Sequence, residues 1–510
     1  MIRLDQLFLS DLAGADENLA TRLLAARAEP GSLDGKEESE LIIALGRHLE
    51  RFLAELFGVE AELAAITGRT LELDPVHACK RLFVQRQAIR KYPDPAGFDA
   101  AGLRASLESR MGEALTELAF AHHVARWEEA ADTEALDEAM RYAAWATLTE
   151  AGHAAQPGTL FRTPHKHDFQ RLVPVRTTER DGVAMLHLPE HDWRQRDGFS
   201  LTDPGVDDQG ALDQINYCIL CHTQGKDSCS KGLRDRKTGA FQKSALGVTL
   251  TGCPLDEKIS EMHTLRGQGH LLAAFATIAV DNPMMAATGH RICNDCAKAC
   301  VFQKQDPVDI PQTETRILRE VLGLPWGFEI YTLMTRWNPL NIRRPLPRPD
   351  SGRKVLVVGL GPAGFTLAHH LMNDGHTVVG IDGLKIEPLG FDPNAPVRDA
   401  EALFEDLDDR ILAGFGGVAE YGITVRWNKN YLKLVRLLLE RREHFALFGG
   451  VRFGGGGTLS VDDAWAMGFD HVALCMGAGR PTVIDMPGGL ARGVRQASDF
   501  LMALQLTGAA

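Results

Sequence analysis

Apolar residues recur at helical spacing through the first 155 positions. Leu41, Ile42, Leu45, Leu49, Phe52, Leu53 and Leu56 fall on one face of a helix, with Ser39 just ahead of it as a candidate N-cap. Leu103 to Trp127 and Glu134 to Glu150 read as two further helices. Between 156 and 210 the period gives way to Pro, Gly, His and Asp, which predicts loops and a few short strands. Helical patterning returns over Glu257 to Thr277 and Glu314 to Leu322. Within it, Leu271 to Val280 is the longest apolar run and reads as a buried helix. Asn338 to Lys354, rich in Pro and Arg, predicts a stiff linker. Lys354 to Val358 then reads as a buried parallel strand, followed by an amphipathic helix bearing Phe365, Leu367, Ala368 and Leu371. Thr377 to Ile381 reads as a second strand. The acidic stretch Asp399 to Asp409 predicts an extra surface helix, and Gly454 to Gly457 a flexible loop.

These elements divide the chain into a helical docking domain (1–155), an irregular connector (156–210), a cysteine-bearing helical domain (211–340), a Pro/Arg linker (341–353) and a Rossmann-like α/β domain (354–510). At 510 residues with 45% hydrophobic content, there is material for several cores. A net charge of −13 argues against non-specific nucleic-acid binding. No apolar run reaches the ~18–20 residues of a membrane span. Asp5, Asp11, Asp16 and Glu17 do not suit a signal peptide, which points to the cytoplasm.

Seven of the nine cysteines lie between Tyr217 and Leu318: Cys218, Cys221 and Cys229, then Cys253 before Pro254, then Cys293, Cys296 and Cys300. Such close spacings let thiolates converge on a metal centre, and thiolates select zinc, copper(I) or iron–sulfur clusters. The uneven grouping favours clusters over paired zinc knuckles. Cys218-Ile-Leu-Cys221-His222 matches a c-type haem attachment motif, but Cys229 would then lack a purpose and no export signal is evident. Cys79 stands alone and reads as a small core residue. His165-Lys-His167-Asp168 reads as a solvated loop rather than a metal site.

Lys354 to Val358, Gly359-Leu-Gly361-Pro362-Ala363-Gly364, the helix, the second strand and Asp382 follow the strand, glycine loop, helix, strand, acid order of a dinucleotide site. The order alone does not separate FAD from NAD. Cys475 lacks the neighbouring cysteine that thioredoxin-reductase chemistry needs and reads as a strand residue.

Cys253-Pro254, Asp281-Asn282-Pro283, the Cys293/Cys296/Cys300 group and Pro307-Val308-Asp309-Ile310 together resemble the iron–sulfur domain shared by the glutamate synthase small subunit and dihydropyrimidine dehydrogenase. The resemblance covers about 211–501. It implies two [4Fe–4S] clusters with interleaved ligands: Cys218, Cys221, Cys229 and Cys300 for one, and Cys253, Cys293, Cys296 and Glu314 for the other. It assigns the glycine loop to FAD, with Gly359, Gly361, Pro362, Ala363, Gly364 and Asp382 as contacts. Further contacts are implied at Gly417 and Arg426, in a segment resembling the family's flavin-side stretch, and at Gly477 and Ala478, in the strand end that closes the domain. Two departures stand out: a Lys/Arg/Gly-rich insert over Lys231 to Lys243, and Pro311 and Thr424 in place of a Gly and a Pro.

The resemblance implies an FAD- and iron–sulfur-dependent oxidoreductase. Electrons from NAD(P)H, held on a missing segment or a partner chain, would pass through FAD and the clusters to or from a redox partner protein or subunit. The FAD domain is expected to be incomplete, cut before an NAD(P)H domain. Glutamate synthesis is not implied, since glutaminase and FMN domains are absent. No side chain stands out as an acid–base catalyst. Alternatives left open are a non-catalytic cluster-bearing interaction module and a zinc-bearing regulatory flavoprotein.

Overall fold

The computed structural model describes residues 1–510 except 174, 191–192, 194–197, 199, 289–291, 410–426, 478–483, 498–499 and 501–510. Helices fill the first 155 residues, as the periodicity predicts, but their ends differ. The Gly35–Phe57 helix is capped by Asp34, whose carboxylate accepts from the Lys36 and Glu37 N–H groups while Glu37 accepts from the Asp34 N–H. Ser39, expected as the cap, lies inside the helix and donates to the Gly35 carbonyl at 2.8 Å and to buried Glu261. Two expected single helices are each split by a left-handed glycine. Ala100–Met111 ends at Gly112 (φ 72°), and Thr116 caps Glu117–Glu129. Ile259–Gly267 and Leu271–Asp281 part at Gly269 (φ +90°), where an added Cβ would lie 2.7 Å from the Thr67 methyl.

Chain order does not set the cores. Phe8, Leu12, Leu41, Leu45, Leu49 and Leu53 share one continuous core with Leu271–Ala279, Trp337, and Val355, Val357 and Phe365. Val76, Phe83, Phe120, Tyr142 and Phe161 build a separate one. The long N-terminal helix therefore packs directly onto the cysteine-bearing region. Gly46 permits this approach, since a Cβ there would stand 3.0 Å from Leu265 and 3.2 Å from Ala273. One turn further on, buried Glu50 accepts from the Leu272 N–H at 2.7 Å and the Ala273 N–H at 3.2 Å, with His270 Nδ1 at 2.9 Å. These are free donors at the N-terminus of the Leu271–Asp281 helix, where negative charge is favoured. Glu50→Ala strands them in the core and should cost about 2–4 kcal/mol. Urea denaturation checks this against Glu40→Ala, an exposed site; equal midpoints would contradict it.

In the connector, β1 (Arg176–Arg180) and β2 (Val183–His187) form an antiparallel hairpin with Arg176 opposite His187. The last domain holds a parallel sheet of β3 (Lys354–Val358), β4 (Thr377–Ile381), β5 (Phe445–Phe448) and β6 (His471–Leu474) in the order β5-β4-β3-β6. Lys354 pairs with Thr377, Val355 with His471 and Val378 with Phe445. The direction of strand addition reverses between β3 and β6, and ligands of such sheets bind at the carboxyl ends beside that reversal.

The stiff Pro/Arg stretch 341–353 is fastened to its surroundings: Ile342 is in the core, Arg348 N–H donates to the Asn373 carbonyl and Ser351 N–H to the Gly375 carbonyl, both at 2.8 Å. Among the described residues between Asp382 and Gly416, the acidic stretch 399–409 forms a single 3-10 turn, Glu401–Leu403; residues 410–416 lie outside them. Lys433 Nζ takes the Leu403 carbonyl at 2.7 Å and Asn430 Nδ2 the Glu405 carbonyl at 2.9 Å, which leaves those carbonyls unavailable to a helix. Among the described residues no helix is long and apolar enough to cross a membrane.

Candidate functional site

Cys218 follows the C-terminus of the Asp208–Tyr217 helix, and Leu220 (φ 51°) bends the chain so that its N–H donates to Cys218 Sγ at 3.4 Å. Cys221 opens a 3-10 turn, and Cys229 sits in the short Ser228–Lys231 helix. The Cys253 N–H donates to the Cys229 carbonyl at 2.8 Å, which ties the second cysteine group to the first. Cys296 lies in the Asp295–Ala299 helix, whose end delivers Cys300.

Electrostatic neighbours sort these groups into two sets. Cys218 feels Cys221 and Cys300, and Cys229 feels Cys218 and Cys300. Cys296 feels Glu314, Glu257 and Cys253, while Glu314 feels Glu257 and Cys293. Cys300 thus stands with the first group, away from its neighbours in sequence. Burial pushes the Cys218 and Cys253 thiols up to about 12 and Cys229 well above the usual thiol range. Backbone N–H groups work the other way. Those of Val301, Phe302 and Val308 point at Cys300 Sγ, those of Leu255 and Glu257 at Cys253, that of Ser228 at Cys221 and that of Ala297 at Cys296. A buried sulfur lined by N–H donors suits a thiolate whose charge a metal neutralises. Tyr217 stacks on Phe302 at 4.6 Å beside Cys218 and Cys300.

Two carboxylates at this site are not evident from sequence spacing. Glu257, 6% exposed, hydrogen-bonds Glu314, also 6% exposed. Burial and this carboxyl neighbour hold Glu314 protonated well above the usual carboxylate range. Asp227 accepts from Cys229 Sγ at 3.1 Å. Both fall among charged residues of ordinary-looking turns, so no local pattern marks them. Among the described residues no three His, Cys, Asp or Glu side chains converge as a single bound ion needs.

His165 and His167 both meet Asp306. The His165 N–H donates to Asp306 at 3.1 Å and His167 Nε2 lies 2.8 Å from the same carboxylate, pinning the connector to the cysteine-bearing region. The Asp281-Asn282-Pro283 step is held internally: Asn282 Nδ2 donates to Thr288 Oγ1 at 2.8 Å and Tyr331 Oη to the Pro283 carbonyl at 2.9 Å. Burial raises the Asp281 carboxyl to about 6, although Lys258 Nζ, at 3.2 Å, pulls it down. Its folded pKa lies above the unfolded one. Stability is therefore full below about pH 4 and falls as pH rises towards 6, by on the order of 2 kcal/mol. Asp281→Asn should flatten that slope in denaturation curves taken across this range; an unchanged slope would assign it to other groups.

At the sheet, Gly359 (φ +94°) begins the loop, and a Cβ there would stand 2.5 Å from the Cys475 carbonyl oxygen. A Cβ on Gly364 would fall well inside contact distance of the Gly359 carbonyl oxygen. Both glycines are required, and the Pro362–Asn373 helix starts directly over the strand ends. A cavity of 520 Å³ opens there, between β3 and β6, lined by Gly359, Gly361, Pro362, Ala363, Asp382 and Gly477 and closed by Val451, Arg452, Phe453 and Met476. Asp382 is 8% exposed, and its two oxygens accept from the Leu360 and Leu384 N–H groups, both at 2.9 Å. Its first job is to brace the loop, and one acceptor position per oxygen remains for a ligand hydroxyl. Cys475, at the end of β6, lines the cavity. Gly417, Arg426 and Ala478 lie outside the described residues.

Residues 1–58 match the family described as RP005 N-terminal alpha-helical domain. The chain is 55% identical over 226 residues to the uncharacterized protein RP006 of Rickettsia prowazekii, covering 44% of this chain and 32% of that one. It is 30% identical to the glutamate synthase [NADPH] small chain of Mycobacterium tuberculosis over 49% of this chain and 42% of that one. It thus spans under half the length of either relative. Over 52% of its own length it is 31% identical to the uncharacterized protein RP005 of R. prowazekii, 93% of which it covers. This chain belongs to the RP005 family.

Proposed function

We propose that the chain is an electron-transfer flavoprotein of the cytoplasm, similar to the glutamate synthase small subunit. It would hold FAD at the glycine loop and two [4Fe–4S] clusters at the two cysteine sets, and exchange electrons with a partner protein or subunit. The observation that supports this reading is the grouping of eight candidate ligands, spread from Cys218 to Glu314, into two sets of four, in which Cys221, Cys229, Cys296, Cys300 and Glu314 are buried and Cys293 is exposed. The donor chemistry fits: soft thiolates for iron, with one carboxyl completing the second set. When bound, the flavin accepts hydride from NAD(P)H and the clusters carry single electrons. NAD(P)H is expected on a further segment or a partner chain.

The chain's own residues do the positioning. N–H groups around Cys300 and Cys253 stabilise sulfur charge and set the local potential. Gly359 and Gly364 let a pyrophosphate reach the helix N-terminus, and Asp382 offers its remaining acceptor positions to a ribose. Val451, Phe453 and Met476 add apolar lining to the cavity.

Anaerobic reconstitution tests the proposal. The expected result is about eight iron and eight acid-labile sulfide per chain with one FAD, and bleaching of the flavin when NAD(P)H is added to the protein carrying its reductant domain. Zinc without sulfide would support the regulatory alternative. Intact clusters with no flavin bleaching would support an interaction module.

A further inference from the structure

Between Cys229 and Cys253 the chain leaves the cluster region as an ordered finger, 231–250. Backbone hydrogen bonds link Leu233, Gln242 and Leu250 (Gln242 N–H to Leu233 at 2.9 Å, Leu250 N–H to Gln242 at 3.0 Å), and Arg234 lies 3.8 Å over the Phe241 ring. Its base is clamped by two left-handed glycines: a Cβ on Gly232 (φ +84°) would meet the Thr251 carbonyl at 2.6 Å, and one on Gly252 (φ +83°) the Ser230 carbonyl at 2.5 Å. The finger is thus rigidly joined to the residues next to both cysteines.

Its surface charge runs against the rest of the molecule. Lys231, Arg234, Arg236, Lys237 and Lys243 are exposed, and Asp235 is the one acidic residue within 231–250, a local balance of +4 in a chain of −13. Asp235 is occupied by the Lys237 and Thr238 N–H groups and the Thr238 hydroxyl. Among the described residues none of the five cations makes an ion pair. Beside them Leu246 is 63% and Val248 48% exposed. Exposed apolar side chains and cations without ion pairs on one finger are the composition of a transient, electrostatically steered interface.

We propose that the finger is the docking surface for a small redox protein with a carboxylate-rich face. This rests on the cluster reading above. The rest of the surface is net acidic, which disfavours extended polyanions such as duplex nucleic acid or anionic bilayers. A compact partner, whose charge matches the finger alone, is favoured. Rooting at Cys229 and Cys253 brings such a partner to the cluster edge.

The test uses the reconstituted full chain and an acidic [2Fe–2S] ferredoxin as probe. Binding should weaken at least ~10-fold between about 50 and 300 mM salt. The charge reversal R236E/K237E/K243E should weaken it by at least ~10-fold at low salt. L246S/V248S should weaken it while leaving the salt slope in place. Iron, sulfide and the melting temperature should match the parent in both variants, since these side chains are exposed. Ferredoxin binding unaffected by the reversal, or tighter finger-dependent binding to phosphatidylserine vesicles or duplex DNA, overturns the proposal. Iron assay of the parent is independent of binding: clusters without finger-dependent binding overturn this inference alone, and absence of iron overturns the reading beneath it.

Discussion

Cys300→Ala is expected to lower iron and acid-labile sulfide by about half, from about eight to about four per chain, and Cys293→Ala to remove the other half. The two residues belong to one short run, and spacing alone would have them fail together. In the fold, the Ala299–Cys300 end of a five-residue helix reaches Cys218 and Cys229, whereas Cys293 and Cys296 stay with Glu314. Each alanine therefore leaves one set intact, and the double variant should lose both. Cys79→Ala and Cys475→Ala should retain full iron, since Cys79 is buried in the separate helical core and Cys475 lines the cavity beside Gly359. Equal losses that do not add in the double variant would show that Cys293 and Cys300 serve one centre. An iron loss in Cys79→Ala would undo the ligand assignment.

Gly364→Val should abolish FAD retention, at least ~10-fold in dissociation constant, and destabilise the α/β domain by about 1–3 kcal/mol. The added side chain would press on the Gly359 carbonyl oxygen and lift the Pro362–Asn373 helix from the strand end, opening the cavity where phosphates would meet helix N–H groups. The cluster region does not depend on that contact, so iron should remain. Gly14→Ala is the matched control. It lies within the Ile2–Ala15 helix with nothing within 4 Å of an added Cβ, and should stabilise by about 0.5–1 kcal/mol. Flavin retention in Gly364→Val, with the iron content unchanged, would remove the loop from the proposed site.

The strand, glycine loop, helix and strand order over 354–381 was legible because its signals are local. Strand, glycines, helix and Asp382 lie within one short run, and each is dictated by backbone geometry that no distant residue alters. The buried Leu271–Asp281 helix was legible for the same reason, its composition being apolar all round. Helix breaks at Gly112 and Gly269 were missed because apolar periodicity runs on through a single left-handed glycine. The acidic stretch 399–409 has a helical composition, but Lys433 and Asn430 claim its carbonyls, and composition does not record distant partners.

Sequence by itself determined which chemistry is on offer: clustered soft thiols, a glycine loop between strand and helix, and an acid after the second strand. Tertiary structure decided who meets whom. It set Glu257 against Glu314, Glu50 under the Leu271–Asp281 helix, and the cavity between β3 and β6. The physical reason is range. Backbone preference and side-chain chemistry act over a few neighbouring residues, whereas pairing of buried groups is chosen by the whole core, which here joins residues from Phe8 to Leu439.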